Sequence, residues 1–221
     1  GCDSLARGVR GEHRPGLVLG MSIGKDKTAP LEEAAADYRA LQEVFAGLGD
    51  YVAGNVSSPN TPGLRSLQTR QALEAILLPL AQRRDAAATG GRRVPVLVKL
   101  APDLSNAELD DALEAILAAR MDGVIIGNTT LQRPAELRSR LAGETGGLSG
   151  APLRPITNAI LAQTVARLAG RLPVIASGGV LSTADAREKL DMGACLVQLY
   201  TVLIYEGPGL VSRILNEGWK P

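Results

Sequence analysis

The chain has 221 residues, 24 of them basic and 23 acidic, for a net charge of +1. So even a balance leaves no electrostatic footprint for nucleic acid, and aromatics at 3% provide no stacking platforms for bases. Two distant cysteines, Cys2 and Cys195, build no disulfide framework, and a single histidine, His13, argues against a zinc site, so no metal is expected.

The first fifteen residues are polar and without period; an alternation of apolar runs and helical patterns begins after them. The pattern predicts a strand over 17–23, then a loop through Lys25 and Lys27, with Thr28 as a candidate cap for a helix over 30–45. A second strand over 51–56 leads into the loop NVSSPNTPGL, residues 55–64. A helix over 71–88 contains Pro79, a candidate kink. The third strand, 94–100, ends at Lys99 and Leu100; Ser105 with Glu108 spells a capping box for a helix to about Arg120. A fourth strand, 123–127, runs into Asn128-Thr129-Thr130 and a long excursion containing ETGGLSG, residues 144–150. A helix over 157–168 and a fifth strand over 172–176 follow, the strand ending at Ser177-Gly178-Gly179. Ser182 with Asp185 caps a further helix, a sixth strand covers 195–200, and a last helix starts near Pro208. Cys195, at a strand start, reads as a small core residue.

Apolar strands without polar alternation are covered on both faces, which is the parallel-sheet signature. The glycines and small polar residues collect after the strands' C-terminal ends. That one-sided distribution fits a (β/α) barrel or an open doubly wound sheet. No GxGxxG opens a helix after a strand, so the dinucleotide-binding fold is the weaker option. A (β/α)8 TIM barrel has eight strands and the pattern supplies six, so the expectation is one barrel domain over 1–221 that lacks its beginning.

The loop 55–64 holds two carboxamides, two serines and a threonine between prolines and a glycine, a shaped polar loop where such barrels place their chemistry. An alternative for any one of these residues is a turn that merely caps a strand.

In order along the chain, NVSSPNTPGLRSLQ, VLVKLAPDLS, IIGNTT, ETGGLSGAPL, ASGGV and LVQLYT closely resemble the quinone-dependent class of the dihydroorotate dehydrogenase family, over residues 16–213. The resemblance implies an FMN-containing (β/α) barrel that oxidises dihydroorotate to orotate in pyrimidine biosynthesis and passes the electrons to a quinone. It assigns the catalytic base to Ser58, where the cytosolic class carries cysteine, and makes Thr61 its relay partner. Asn55, Asn60, Asn128 and Thr129 become the substrate grip, because a carboxamide matches the donor–acceptor edge of a pyrimidine ring. Lys99 faces the N1/O2 edge of the flavin; Gly150, Gly178, Gly179, Tyr200 and Thr201 hold its phosphate, and Asn55 and Ser22 touch it as well. The family carries asparagine where this chain has Ser22, which places that contact in question.

The same resemblance implies a peripheral enzyme on the cytoplasmic face of a bacterial inner membrane, with the mitochondrial inner membrane as the alternative, reached through an N-terminal amphipathic element not found in residues 1–15. On that expectation the 221 residues alone are inactive. Two other readings stand beside it: a non-catalytic fragment of such an enzyme, and an FMN barrel acting on other dihydropyrimidines, a relative that carries cysteine at the Ser58 position.

Overall fold

A computed structural model describes residues 16–88 and 91–218; the calls on Cys2 and His13 lie outside these. Six strands, β1 (Gly20–Ile23), β2 (Tyr51–Asn55), β3 (Val96–Leu100), β4 (Gly123–Ile126), β5 (Val174–Ser177) and β6 (Leu196–Gln198), form one sheet in that order, every pair parallel. Between them lie α1 (Ala34–Phe45), α2 (Arg70–Ala88), α3 (Asn106–Ala118), α4 (Arg154–Leu168) and α5 (Thr183–Asp191); α6 (Thr201–Glu206) and α7 (Gly209–Gly218) follow β6. Parallel neighbours in sequence order need a crossover at every step, and a helix supplies each one.

The sheet is curled. Side chains alternate along each strand, so Val52, Val96, Val98, Val124 and Val174 turn outward into the main core beneath the helices. Ala53, Leu97, Ile125 and Ile175 turn inward and pack on one another. Lys99 on β3 reaches Gln198 on β6 with a hydrogen bond of 2.9 Å, across the concave side and past two intervening strands. This is a partial TIM barrel. Among the described residues β1 and β6 each pair on one side only.

Local chemistry explains most of the boundaries. Ser105 accepts from the Glu108 amide while Glu108 accepts from the Ser105 amide at 2.8 Å, completing the capping box. Ser182 accepts from the Asp185 amide at 3.2 Å. Thr28, in contrast, caps no helix. Its hydroxyl and amide both bind Asp26, and a 3-10 turn over Leu31–Glu33 precedes α1. Cys195 is exposed, which corrects the expectation of a core residue. It directly precedes β6, which has no neighbour on its far side among the described residues. Pro79 lies inside α2, which runs unbroken from Arg70 to Ala88.

At the strands' N-terminal rim, buried Arg84 on α2 binds Asp122 at 2.9 Å and the Arg120 carbonyl at 2.7 Å. Asp122 in turn accepts from the Val96 amide at 2.8 Å. The guanidinium fork satisfies a buried charge while joining α2 to the β3 and β4 starts. This rim carries stability, and the opposite one carries the site.

Candidate active site at the strand C-terminal ends

A cavity of about 500 Å³ opens where β2, β3, β4, β5 and β6 end. Asn55, Lys99, Asn128, Thr129, Gly150, Gly178, Gly179, Tyr200 and Thr201 line it, nine residues that the sequence scatters over nearly 150 positions and the fold gathers into one wall. Ser149, Ser177 and Gln198 join them.

The two asparagines are held by a residue that sequence reasoning passed over. Ser57 is fully buried; its hydroxyl accepts from Asn128 Nδ2 at 2.8 Å and donates to Asn55 Oδ1 at 2.8 Å. The Ser57 amide also donates to Asn55 Oδ1, at 3.1 Å. With its oxygen thus engaged, Asn55 has an Nδ2 that makes no hydrogen bond among the described residues. Asn128 Oδ1 accepts from the Thr129 amide at 2.8 Å. Thr129 lines the cavity too, and its Oγ1 is buried with no hydrogen-bond partner among the described residues. A buried polar atom without a partner costs free energy unless something arrives to bind it.

Lys99 sits at the inward position of β3 beside Asn55 in register. Burial pushes its ammonium below the ordinary lysine range. It has three protons and, among the described residues, one acceptor, Gln198. A lysine snorkelling to the rim would be solvated; this one faces the cavity. Gln198 was legible in principle, since it is the polar residue at the inward, C-terminal position of β6, opposite Ser177.

The turn after β5 is built for close approach. Gly178 has φ +94° and Gly179 φ +70°. A Cβ on Gly178 would lie 2.7 Å from Leu153 Cδ2, and one on Gly179 2.7 Å from the Arg154 amide nitrogen. The N-terminus of α4 therefore sits directly against the turn, which only glycine permits. Gly150, at φ +84°, is brought over the same cavity because Leu148 returns from the excursion to pair with Thr130, at 2.8 and 3.0 Å. Backbone amides freed in such turns suit a phosphate.

Ser58, Asn60, Thr61 and Ser22 do not line this cavity. Ser58 Oγ accepts from the Asn60 amide at 3.3 Å, a local turn bond, and Ser58 and Thr61 make no direct bond to each other. The loop lies under the excursion, with the Asn60 carboxamide near Gly146 and Pro59 near Gly147. Ser22 is exposed on β1, in register with Ala53.

One side chain ties the loops together. Arg65 donates from Nε to the Ser57 carbonyl at 3.0 Å, from Nη2 to the Thr129 carbonyl at 2.7 Å, and from Nη1 to Asp103. Asp103 accepts from Thr130 Oγ1 and, at 3.1 Å, from the Leu131 amide. The loops after β2, β3 and β4 are thus one unit. Arg65→Met is expected to destabilise the fold by about 2–4 kcal/mol in urea titration, because Asp103 loses its charged partner and the Ser57 and Thr129 carbonyls lose a donor. Arg65→Lys should restore less than half, since a point charge cannot make the three-way fork. Equal stability of all three proteins would show that the clamp contributes nothing.

The comparisons with known proteins agree with this geometry. A family model described as dihydroorotate dehydrogenase matches residues 1–218. A dihydroorotate dehydrogenase (quinone) of Xanthomonas oryzae pv. oryzae strain PXO99A is 45% identical over 217 residues, covering 98% of this chain and 62% of the relative. One of Allorhizobium ampelinum is 49% identical over 204 residues, covering 92% and 55%. The ligand-free enzyme structure from Eimeria tenella superposes with a TM-score of 0.87 at 35% identity, covering 98% of this chain and 63% of that one. The chain therefore spans less than two thirds of the length of these relatives. With the fold, the loop sequences and the family model in agreement, the chain belongs to the dihydroorotate dehydrogenase family.

Proposed function

We propose that the protein oxidises dihydroorotate to orotate in pyrimidine biosynthesis, with FMN as its resident cofactor and a quinone as electron acceptor. The observation that carries this reading is the cavity wall itself. Asn55 with its carboxamide nitrogen unengaged among the described residues, Thr129, Lys99, Gly150 and the double-glycine turn all line the one cavity.

The residues fit FMN. Positive-φ glycines packed against α4 leave backbone amides for a phosphate, with Tyr200 and Thr201 beside them. Lys99 has protons to spare for the electron-rich edge of the ring, and Asn55 and Ser22 would complete the contact. When bound, FMN supplies hydride acceptance from ring C6 of the substrate.

The remaining steps belong to side chains of this chain. Asn55, Asn60, Asn128 and Thr129 orient the flat imide ring, and a ring lacking the matching donors would leave them unpaired. Ser58 Oγ takes the proton from C5. One of its two lone pairs holds the Asn60 amide, and the other remains for the substrate proton. The Ser58 proton must leave in the same step, toward Thr61 through water. Quinones dissolve in membranes, so this reading sets the enzyme peripherally on a membrane surface, in bacteria the cytoplasmic face of the inner membrane. The support is the bacterial origin of the curated relatives. No helix among the described residues is long and apolar enough to cross a membrane.

Anaerobic dihydroorotate added to the FMN-loaded, full-length protein should bleach the yellow absorbance, and a soluble quinone should restore it. Colour unchanged by dihydroorotate but bleached by dihydrouracil would assign the site to a different dihydropyrimidine.

A further inference from the structure

Lys189, on α5, has no exposed surface at all, and no role in the chemistry above uses it. Its ammonium donates to Asn158 Oδ1 at 2.7 Å and to Thr157 Oγ1 at 3.1 Å, both neutral groups on α4. Among the described residues no carboxylate lies within ion-pairing distance. Asp185 and Glu188, the acidic groups of its own helix that act on it, are paired instead with Arg154, at 2.7 and 2.8 Å. On α7, which also packs against α5, Arg213 turns to Glu206 and Glu217 to Thr183. A buried cation without a counter-ion is costly, and burial pushes this ammonium down to about 8.

Behind Lys189 stands the glycine turn. Thr157 Oγ1 lies 3.1 Å from the Gly178 carbonyl, as well as from carbonyls of its own helix, so one threonine links the lysine to the turn. A trans peptide sets its N–H opposite its C=O. With the Gly178 carbonyl turned to the α4 side, within 3.1 Å of Thr157 Oγ1, the Gly179 N–H is aimed the other way, and Gly179 lines the cavity.

We propose that Lys189 is the buried counter-charge for an anionic group bound at Gly178-Gly179, acting by its field and through Thr157 without touching the ligand. The inference rests on the proposed function, in which that group is the FMN phosphate. It makes Lys189 a positioning residue. It also accounts for a lysine that no carboxylate neutralises: the counter-ion arrives with the ligand.

The test is a comparison of FMN with riboflavin, which lacks the phosphate, binding to the full-length apoprotein between pH 5.5 and 9.5. FMN affinity should hold a plateau from about pH 6, where the phosphate gains its second charge, to about 8, where the ligand-free lysine loses its proton. Above that pH it should fall, because the lysine is protonated only below its own value. Riboflavin affinity should stay level from pH 6 to 9. Lys189→Met keeps an unbranched chain without the charge. It should weaken FMN about tenfold at pH 7, remove the alkaline fall and leave riboflavin unchanged. The wild-type profile alone decides the matter if the variant does not fold. FMN affinity that stays level across pH 8, or falls equally in the methionine variant, overturns the role of Lys189 and leaves the flavin site standing. Binding of neither flavin overturns the proposed function, and this inference with it.

Discussion

Ser58→Ala should lower dihydroorotate turnover by about 10²–10⁴-fold, the usual contribution of a positioned general base. Dihydroorotate binding should stay within a few fold, because the variant leaves the Ser57 bridge, and with it the orientation of Asn55 and Asn128, untouched. Structural damage should be small. Among the described residues the hydroxyl makes one bond, accepting from the Asn60 amide at 3.3 Å in a half-exposed loop, and that bond contributes about 0.5–1.5 kcal/mol. The large fall in turnover beside a small fall in stability separates a base from a turn residue. Ser58→Cys offers a second readout. A thiol ionises near 8.5 and a serine hydroxyl far higher, so the cysteine variant should retain turnover that rises through that range. Turnover of the alanine variant near the wild-type value at every pH would remove Ser58 from the mechanism.

Gly179→Ala should cost at least about 100-fold in FMN affinity while the helices and the sheet persist. Two penalties coincide at this position. A left-handed φ of +70° costs an alanine about 1–2 kcal/mol. Its Cβ would also overlap the Arg154 backbone, which is the first turn of α4 and cannot swing aside like a side-chain tip. Either the turn or the helix start must move, and both frame the phosphate end of the cavity. Gly170→Ala is the control, since φ there is +79° but nothing lies within 4 Å of the added carbon. It should lose about 1 kcal/mol of stability and no FMN affinity. FMN binding by the Gly179 variant at the wild-type level would show that the double-glycine turn does not hold the phosphate.

Six strands, their order and the rim that carries the chemistry were legible because buried parallel strands leave continuous apolar runs, and because turn residues cannot hide in a core. Lys99 announced itself by standing inside such a run, and both serine caps by their spacing to an acidic residue. Boundaries were less legible. The first strand begins at Gly20 and not at residue 17; Leu17 and Val18, though apolar, are exposed and join no core cluster among the described residues. Helix α4 begins at Arg154, three residues early, since Pro155 is well placed in a first turn. The short helix α6 has no cap or period to reveal it.

What the sequence determined by itself is local: which segments are strands, which ends are polar, and which loops carry carboxamides and glycines. The tertiary structure decided which of these meet. Ser57 and Ser58 are adjacent and chemically identical, yet one is fully buried between asparagines at the ends of two different βα units and the other holds a loop turn. Arg65 looks like any surface arginine until three loops close around it. Lys189 falls within a charged helical stretch, AREKLD, that reads as a solvated face. Only the packing of α5 against α4 turns it inward and leaves it without a carboxylate. Side-chain periodicity is set within a few residues, whereas burial and partnership depend on groups tens to a hundred positions away, and the curl of the sheet sets those distances.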